Sequence, residues 1–169
     1  MSLDTSPAAF RRVLGHYPTG VCVITAVEAD AMPIGMAVGS FSSVSLEPPL
    51  IAFFPDKSST TWPRIERTGR FCVNVLADHQ EEVCRAFAMR GNDKFAVVSH
   101  RPSLAGLPQL DDTVAWIDCD IHAVHEAGDH WIVLGLVRAL DVNEAARPLL
   151  FFQSRYGQFA PLQVPRRKS

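Results

Sequence analysis

Acidic and imidazole side chains alternate along VAWIDCDIHAVH, where Asp118, Asp120 and His122 fall at every second position and His125 and His130 follow closely. Oxygen and nitrogen ligands of this kind suit a divalent metal. Alternate residues of any half-exposed strand also share one face, so a solvated or interface face gives the same pattern, and no metal site is expected. Two hydroxyl-rich stretches offer different chemistry. GSFSSVSLEPPLIAFF, from Gly39 to Phe54, sets four serines in a neutral loop with no charge before Glu47, and DKSSTTW places Ser58, Ser59, Thr60 and Thr61 where a helix is expected to start. Backbone N–H groups and the positive end of a helix suit a phosphate, and Lys57 adds a point charge, although Ser and Thr are equally ordinary helix caps. A ligand with an amide-like polar head at one end and a phosphate at the other would match the two loops together.

Other chemistries lose support by absence. No GxGxxG, GxxxxGK[ST] or GxSxG pattern occurs, which argues against Rossmann, P-loop and α/β-hydrolase sites. Cys22, Cys72, Cys84 and Cys119 are scattered singly with no CxxC pair, and they read as small buried hydrophobes.

The elements that must position these residues are mostly strands. VCVITAV (21–27), IGMAV (34–38), LIAFF (50–54) and FCVNVL (71–76) are short β-branched or aromatic runs. Ala115, Ile117, Cys119, Ile121 and Ala123 form the core face of a further strand, joined through the polar EAGDH turn to WIVLGLVRAL (131–140), and PLLFF supplies a last strand. Helices are expected over 7–14, from Thr60 or Thr61 with Pro63 in the first turn, and from Asp78, with Glu81 completing a capping box. Strands that cluster rather than alternate with helices predict a mostly β, antiparallel barrel with a few peripheral helices.

The 169 residues, 47% of them hydrophobic, suffice for one domain, expected over 1–160 with a flexible basic tail at 161–169. A net charge of −2 argues against nucleic acid as a partner. No run reaches the roughly 18 apolar residues of a membrane span, and the start of the chain lacks a signal-peptide layout, so a cytoplasmic location is expected.

YPTGVCVIT, GSFSSVSLEPPLIAF, SST, FCVNVLADHQEEVCRAFA with KF behind it, GDH and RPLLFFQSRYG occur in that order between Phe10 and Gly157. Together they resemble the flavin reductase family, the small NAD(P)H:flavin oxidoreductases that partner flavin-dependent monooxygenases. The chain is especially similar to reductase components serving aromatic or steroid-ring hydroxylases. The resemblance implies an FMN-binding split β-barrel, Greek-key-like and homodimeric. It also implies hydride transfer from NADH or NADPH to FMN or FAD, with reduced flavin passing to a separate monooxygenase.

Residue by residue, it implies Ala37, Val38, Gly39 and Ser40 along the isoalloxazine edge, and Val44 and Ser45 near its reactive side. Phe54, Pro55, Lys57, Ser58, Ser59 and Thr60 would hold the ribityl phosphate, with Phe87, Lys94 and Phe95 as further flavin contacts. Gly128, Asp129 and His130 would meet the nicotinamide, His130 as the catalytic residue, with Ser154, Arg155 and Tyr156 completing that side. Ala37 and Gly39 stand where members commonly carry polar residues, so backbone donors must do more of the binding and the flavin is expected to bind loosely, as a substrate. Two rival readings are a flavin- or haem-binding module without turnover and an enzyme of the pyridoxamine-phosphate oxidase type.

Overall fold

The chain enters through α1 (Pro7–Leu14), where the Ser6 hydroxyl accepts from the Ala9 N–H at 3.2 Å and Pro7 occupies the first turn, its missing N–H costing nothing there. The fold is a computed structural model, which describes residues 4–89, 91, 94–143 and 145–162. After α1 come β1 (Thr19–Gly20), β2 (Cys22–Val27), β3 (Pro33–Val38), β4 (Phe41–Leu46) and β5 (Pro49–Phe53). Then follow α2 (Trp62–Thr68), β6 (Arg70–Val75), α3 (Glu81–Ala88), β7 (His100–Pro102) and β8 (Pro108–Leu110). The long hairpin of β9 (Ala115–Ala127) and β10 (His130–Val142) precedes β11 (Leu149–Phe152) and β12 (Arg155–Gln158).

The main sheet is antiparallel, in the order β3-β2-β6-β9-β10-β5-β4. Although β5 and β6 lie three places apart in it, Phe53 and Phe71 meet with ring centroids 5.1 Å apart, so the sheet is rolled around a shared interior. Its two edges, β3 and β4, follow each other in sequence without pairing, and this leaves the barrel split between them. Ile24, Phe53, Trp62, Phe71 and Val133 fill the interior. A second cluster, with Val23, Leu76, Phe87 and Leu110, packs on the outer face beneath α3 and β8.

The rolled sheet leaves no room inside at Gly135. A Cβ there would lie 2.6 Å from Phe71 Cζ and 3.2 Å from Cys119 Cβ. Gly135→Ala is therefore expected to destabilise the fold by about 1–3 kcal/mol, read as a lowered midpoint of thermal or urea unfolding.

Four expectations change. The serine-rich stretch is the edge strand β4 rather than a loop: Phe41 pairs with Phe53 and Leu46 with Pro49, and Val44 bulges out between Ser43 and Ser45. An edge strand with no second sheet over it needs no apolar face, so hydrophobic alternation could not reveal it. Asp78 does not cap α3, because the helix begins three residues later, after Gln80. The Gln80 side chain accepts from the Ala77 N–H at 2.9 Å and donates to the Asp111 carbonyl at 2.8 Å, bracing the entry to the helix itself. The short strands β7, β8 and β12 carry too little periodic sequence to be anticipated. Finally, Asp118 is not solvated. It lies opposite Cys72 with 1% of its surface exposed, on the outer face that β8 helps to cover, where the Thr25 hydroxyl donates to the Pro108 carbonyl. The basic end of the chain, expected to be a flexible tail, lies outside the described residues from position 163 onward.

Candidate functional site

Five of the residues singled out in the sequence meet around one cavity of about 150 Å³. Ala37 reaches it from β3, Ser59 and Thr60 from the approach to α2, Phe87 from α3, and Lys94 from the segment after α3. Thr61, of the same hydroxyl-rich stretch, and Met36 and Met89, which the sequence did not mark, complete most of the wall. Gly35 lets this wall close, since a Cβ there would stand 2.7 Å from the Phe87 ring. Phe95 braces Phe87 edge to face at 5.0 Å.

Lys94 is the charged group of the cavity. Its ammonium donates to the Gly35 carbonyl at 3.2 Å and to the Phe87 carbonyl at 3.0 Å, and among the described residues it has no carboxylate partner. Burial, helped by the nearby Arg64 charge, pulls its pKa below the usual lysine value. A half-buried cation held only by carbonyls is a site that an anion would complete. The hydroxyl groups stand close by. Ser59 Oγ accepts from the N–H groups of Thr61 and Trp62 at 3.3 and 3.1 Å, so it caps α2 and keeps its own hydrogen to donate. Because α2 has only seven residues, little of the favourable field comes from its dipole, and Lys94 supplies most of the charge.

Lys57 and Ser58 do not line this cavity. The Lys57 ammonium lies 4.9 Å above the Trp131 ring and 3.8 Å from Glu126, while the Ser58 N–H donates to Asp56. Their segment instead carries the nicotinamide candidates. The Lys57 N–H donates to the Asp129 carbonyl and the Trp131 N–H to the Pro55 carbonyl, both at 2.9 Å, and Asp56 bridges His130. The GDH turn is thereby fixed against the strand exit that leads to Ser59 and Thr60. Gly128 takes φ 62° at the first of two turn residues, the position at which a tight hairpin calls for glycine. Asp129 Oδ1 accepts from His130 Nδ1 at 2.7 Å when that nitrogen carries the proton, and this contact holds the Asp129 carboxyl below its usual range.

The β3–β4 junction presents mainly backbone. Val38 is buried in the barrel core. The Ser40 hydroxyl donates to the Phe54 carbonyl and accepts from the Phe54 N–H, both at 3.2 Å, tying the junction to the end of β5. At Gly39 a Cβ would lie 3.3 Å from Thr19 Oγ1, so a larger residue would press on the neighbouring β1. Val44 is exposed at the bulge of β4, with Ser45 beside it. Ser154, Arg155 and Tyr156 are placed elsewhere. Ser154 lies in the turn between β11 and β12, and Arg155 and Tyr156 stand on β12, where they line a separate groove and the Tyr156 hydroxyl lies 3.2 Å from Cys84 Sγ.

The four cysteines and the alternating acids are not among the described residues that line the cavity. Burial pushes the Cys22 and Cys119 thiols up to about 12, raises Cys72 further with the help of Asp118, and raises Cys84 as well. All four are expected to resist a thiol-specific disulfide reagent in the folded protein and to react once it is unfolded in denaturant. Of the alternating acids, Asp118 is buried beside Cys72 while Asp120 accepts from Arg138 at 2.6 Å. No group of three potential metal ligands forms among the described residues.

Residues 14–160 match the family model described as a flavin reductase like domain. The chain is 57% identical over 156 residues to a flavin reductase of Pseudomonas putida, with 92% of each protein covered. It is 46% identical to the flavin-dependent monooxygenase reductase subunit HsaB of Rhodococcus jostii, covering 92% of this chain and 79% of that one. Among solved structures, the NADH:FAD oxidoreductase SgcE6 of Streptomyces globisporus, in complex with NAD and FAD fragments, superposes with a TM-score of 0.88 at 36% identity, covering 95% of this chain and 98% of that one.

Proposed function

The chain belongs to the flavin reductase-like family, and on that footing we propose that the Lys94 cavity and the Gly128–His130 turn are two parts of one site, at which this NAD(P)H:flavin oxidoreductase brings reduced nicotinamide to FMN or FAD. The observation that carries this reading is the meeting of Ala37, Ser59, Thr60, Phe87 and Lys94 around one cavity. The flavin, when bound, supplies the redox chemistry by taking a hydride from the nicotinamide C4. The chain's own work is to bind and orient. Lys94 and the Ser59 and Thr60 hydroxyls would hold the phosphate, and the fit is one of charge, since among the described residues the half-buried ammonium meets only carbonyl oxygens. Backbone N–H groups around Gly39 and at the Val44 bulge would meet the polar edge of the ring system and would stabilise the negative charge that reduction develops there. Asp129 holds His130 by Nδ1 and leaves Nε2 to meet the nicotinamide.

Purified protein mixed with NADH or NADPH and free FMN or FAD is expected to consume nicotinamide over many turnovers. A protein that colours with flavin and consumes none would favour the binding module instead. Reduced flavin then passes to a separate flavin-dependent monooxygenase, a role supported by the 46% identity to a subunit of that description, and an aromatic or steroid-ring substrate for that partner belongs to the same proposal.

A homodimer is the proposed assembly. Phe10, Val13 and Leu14 share one face of α1, Tyr17 follows just past its end, all four are substantially exposed, and the exposed Phe152 packs against His16 between them. A second copy covering this apolar surface would bury it. Among the described residues no helix is long and apolar enough to cross a membrane, and the cytoplasm is the proposed location.

A further inference from the structure

Of the four methionines, Met32, Met36 and Met89 fall among the described residues, and one of these three is both exposed and part of the cavity wall. Met32 lies in the turn between β2 and β3 with 52% of its surface exposed, and it is not among the residues that line the cavity. Met36 lines the cavity from β3 but is packed against the barrel core. Met89 lines the cavity with 68% of its surface exposed. It ends α3, where its N–H donates to the Arg85 carbonyl at 3.2 Å and its backbone turns extended, so the helix end sets its place on the wall. The other sulfur groups that a peroxide attacks, the four cysteine thiols, are all buried.

A peroxide has a source in the reaction itself. Dioxygen takes two electrons and two protons from reduced flavin that finds no acceptor, leaving oxidised flavin and hydrogen peroxide. One peroxide oxygen then bonds to a thioether sulfur, which is oxidised by two electrons as the O–O bond breaks, and the other oxygen leaves as water.

We propose that Met89 is an oxidation site at which this peroxide weakens the chain's hold on flavin, so that a reductase running without its oxygenase slows itself. This role presupposes, as read above, that the flavin phosphate lies in the Lys94 cavity. The direction of the effect follows from hydrogen-bonding capacity. The donors on the cavity wall are the Lys94 ammonium and the hydroxyls of Ser59, Thr60 and Thr61. A phosphate accepts from such donors, and a sulfoxide oxygen also only accepts. In a cavity of about 150 Å³ the two compete for the same groups, whereas an unmodified thioether is a weak acceptor and competes little.

The test is peptide mass spectrometry of the full chain after turnover in air with FMN and NADH or NADPH, with no oxygenase present, followed by FMN titration of the recovered protein. The rate of oxygen gain at Met89 relative to Met32 is expected to be at least about 3-fold higher in turnover than when hydrogen peroxide is added to the flavin-free chain. Protein oxidised at Met89 is expected to bind FMN about 3–10-fold more weakly, and methionine sulfoxide reductase should restore the affinity. Met89→Leu should carry its own starting FMN affinity through the same turnover, and Met32→Leu should lose affinity as the wild type does. An equal ratio of rates in the two treatments, an unoxidised Met89, or oxidation of Met89 without loss of FMN affinity would overturn the assignment. A chain that neither binds FMN nor consumes nicotinamide with it would remove the reading beneath, a result distinct from those three.

Discussion

Replacing Lys94 with methionine is expected to weaken FMN binding by roughly 10–100-fold while leaving riboflavin, which has no phosphate, nearly unaffected. The size follows from removing one charge-assisted contact in a half-buried setting, worth about 1.5–3 kcal/mol. The contrast between the two ligands isolates the phosphate. General damage to the cavity, through loss of the bonds to Gly35 and Phe87, would weaken both. Lys94→Arg keeps the charge and should recover part of the FMN affinity. The same residue sets a pH dependence. Its pKa in the folded chain lies below the ordinary 10.5, so FMN affinity should fall as pH rises through that lowered value and the ammonium loses its charge. Stability of the flavin-free chain should move the other way over the window between the lowered value and 10.5. There the unfolded state binds more protons than the folded one, and unfolding free energy rises with pH.

His130→Ala should act on the other substrate. Removing the imidazole leaves the cavity of Ala37, Ser59, Thr60, Phe87 and Lys94 untouched, so flavin affinity should be retained. The kcat/KM for NADH or NADPH should fall by about 10–100-fold, the loss expected for one positioned polar contact. Asp129→Ala should reproduce a smaller part of that fall, because it frees the ring without removing it. Equal losses for flavin and nicotinamide in His130→Ala would place the histidine in a structural role at the hairpin.

Much of this was legible in the sequence, in proportion to how local the signal is. Apolar runs marked β2, β3, β5 and β6, and the alternation from Ala115 onward together with GDH marked the long hairpin and its turn. The strand β4 escaped because a hydroxyl-rich edge carries no hydrophobic period, and Asp118 looked solvated because what covers it comes from distant parts of the chain. The residue types of the site were visible, but their grouping was not. Lys57 looked like the phosphate's cation because it stands next to the serines in sequence. In space it turns to Trp131 and Glu126, while Lys94, with a contact 59 residues back at Gly35, is the lysine that lines the cavity.

The most direct measurement is anaerobic mixing of the protein, loaded with FMN, with NADH or NADPH in a stopped-flow instrument while the visible flavin absorbance is followed. The expected result is rapid loss of that absorbance with at least one of the two nicotinamides, slowed when the transferred hydrogen at C4 is replaced by deuterium. Flavin that stays oxidised with both would contradict a site in which the Lys94 cavity and the His130 turn bring the two together.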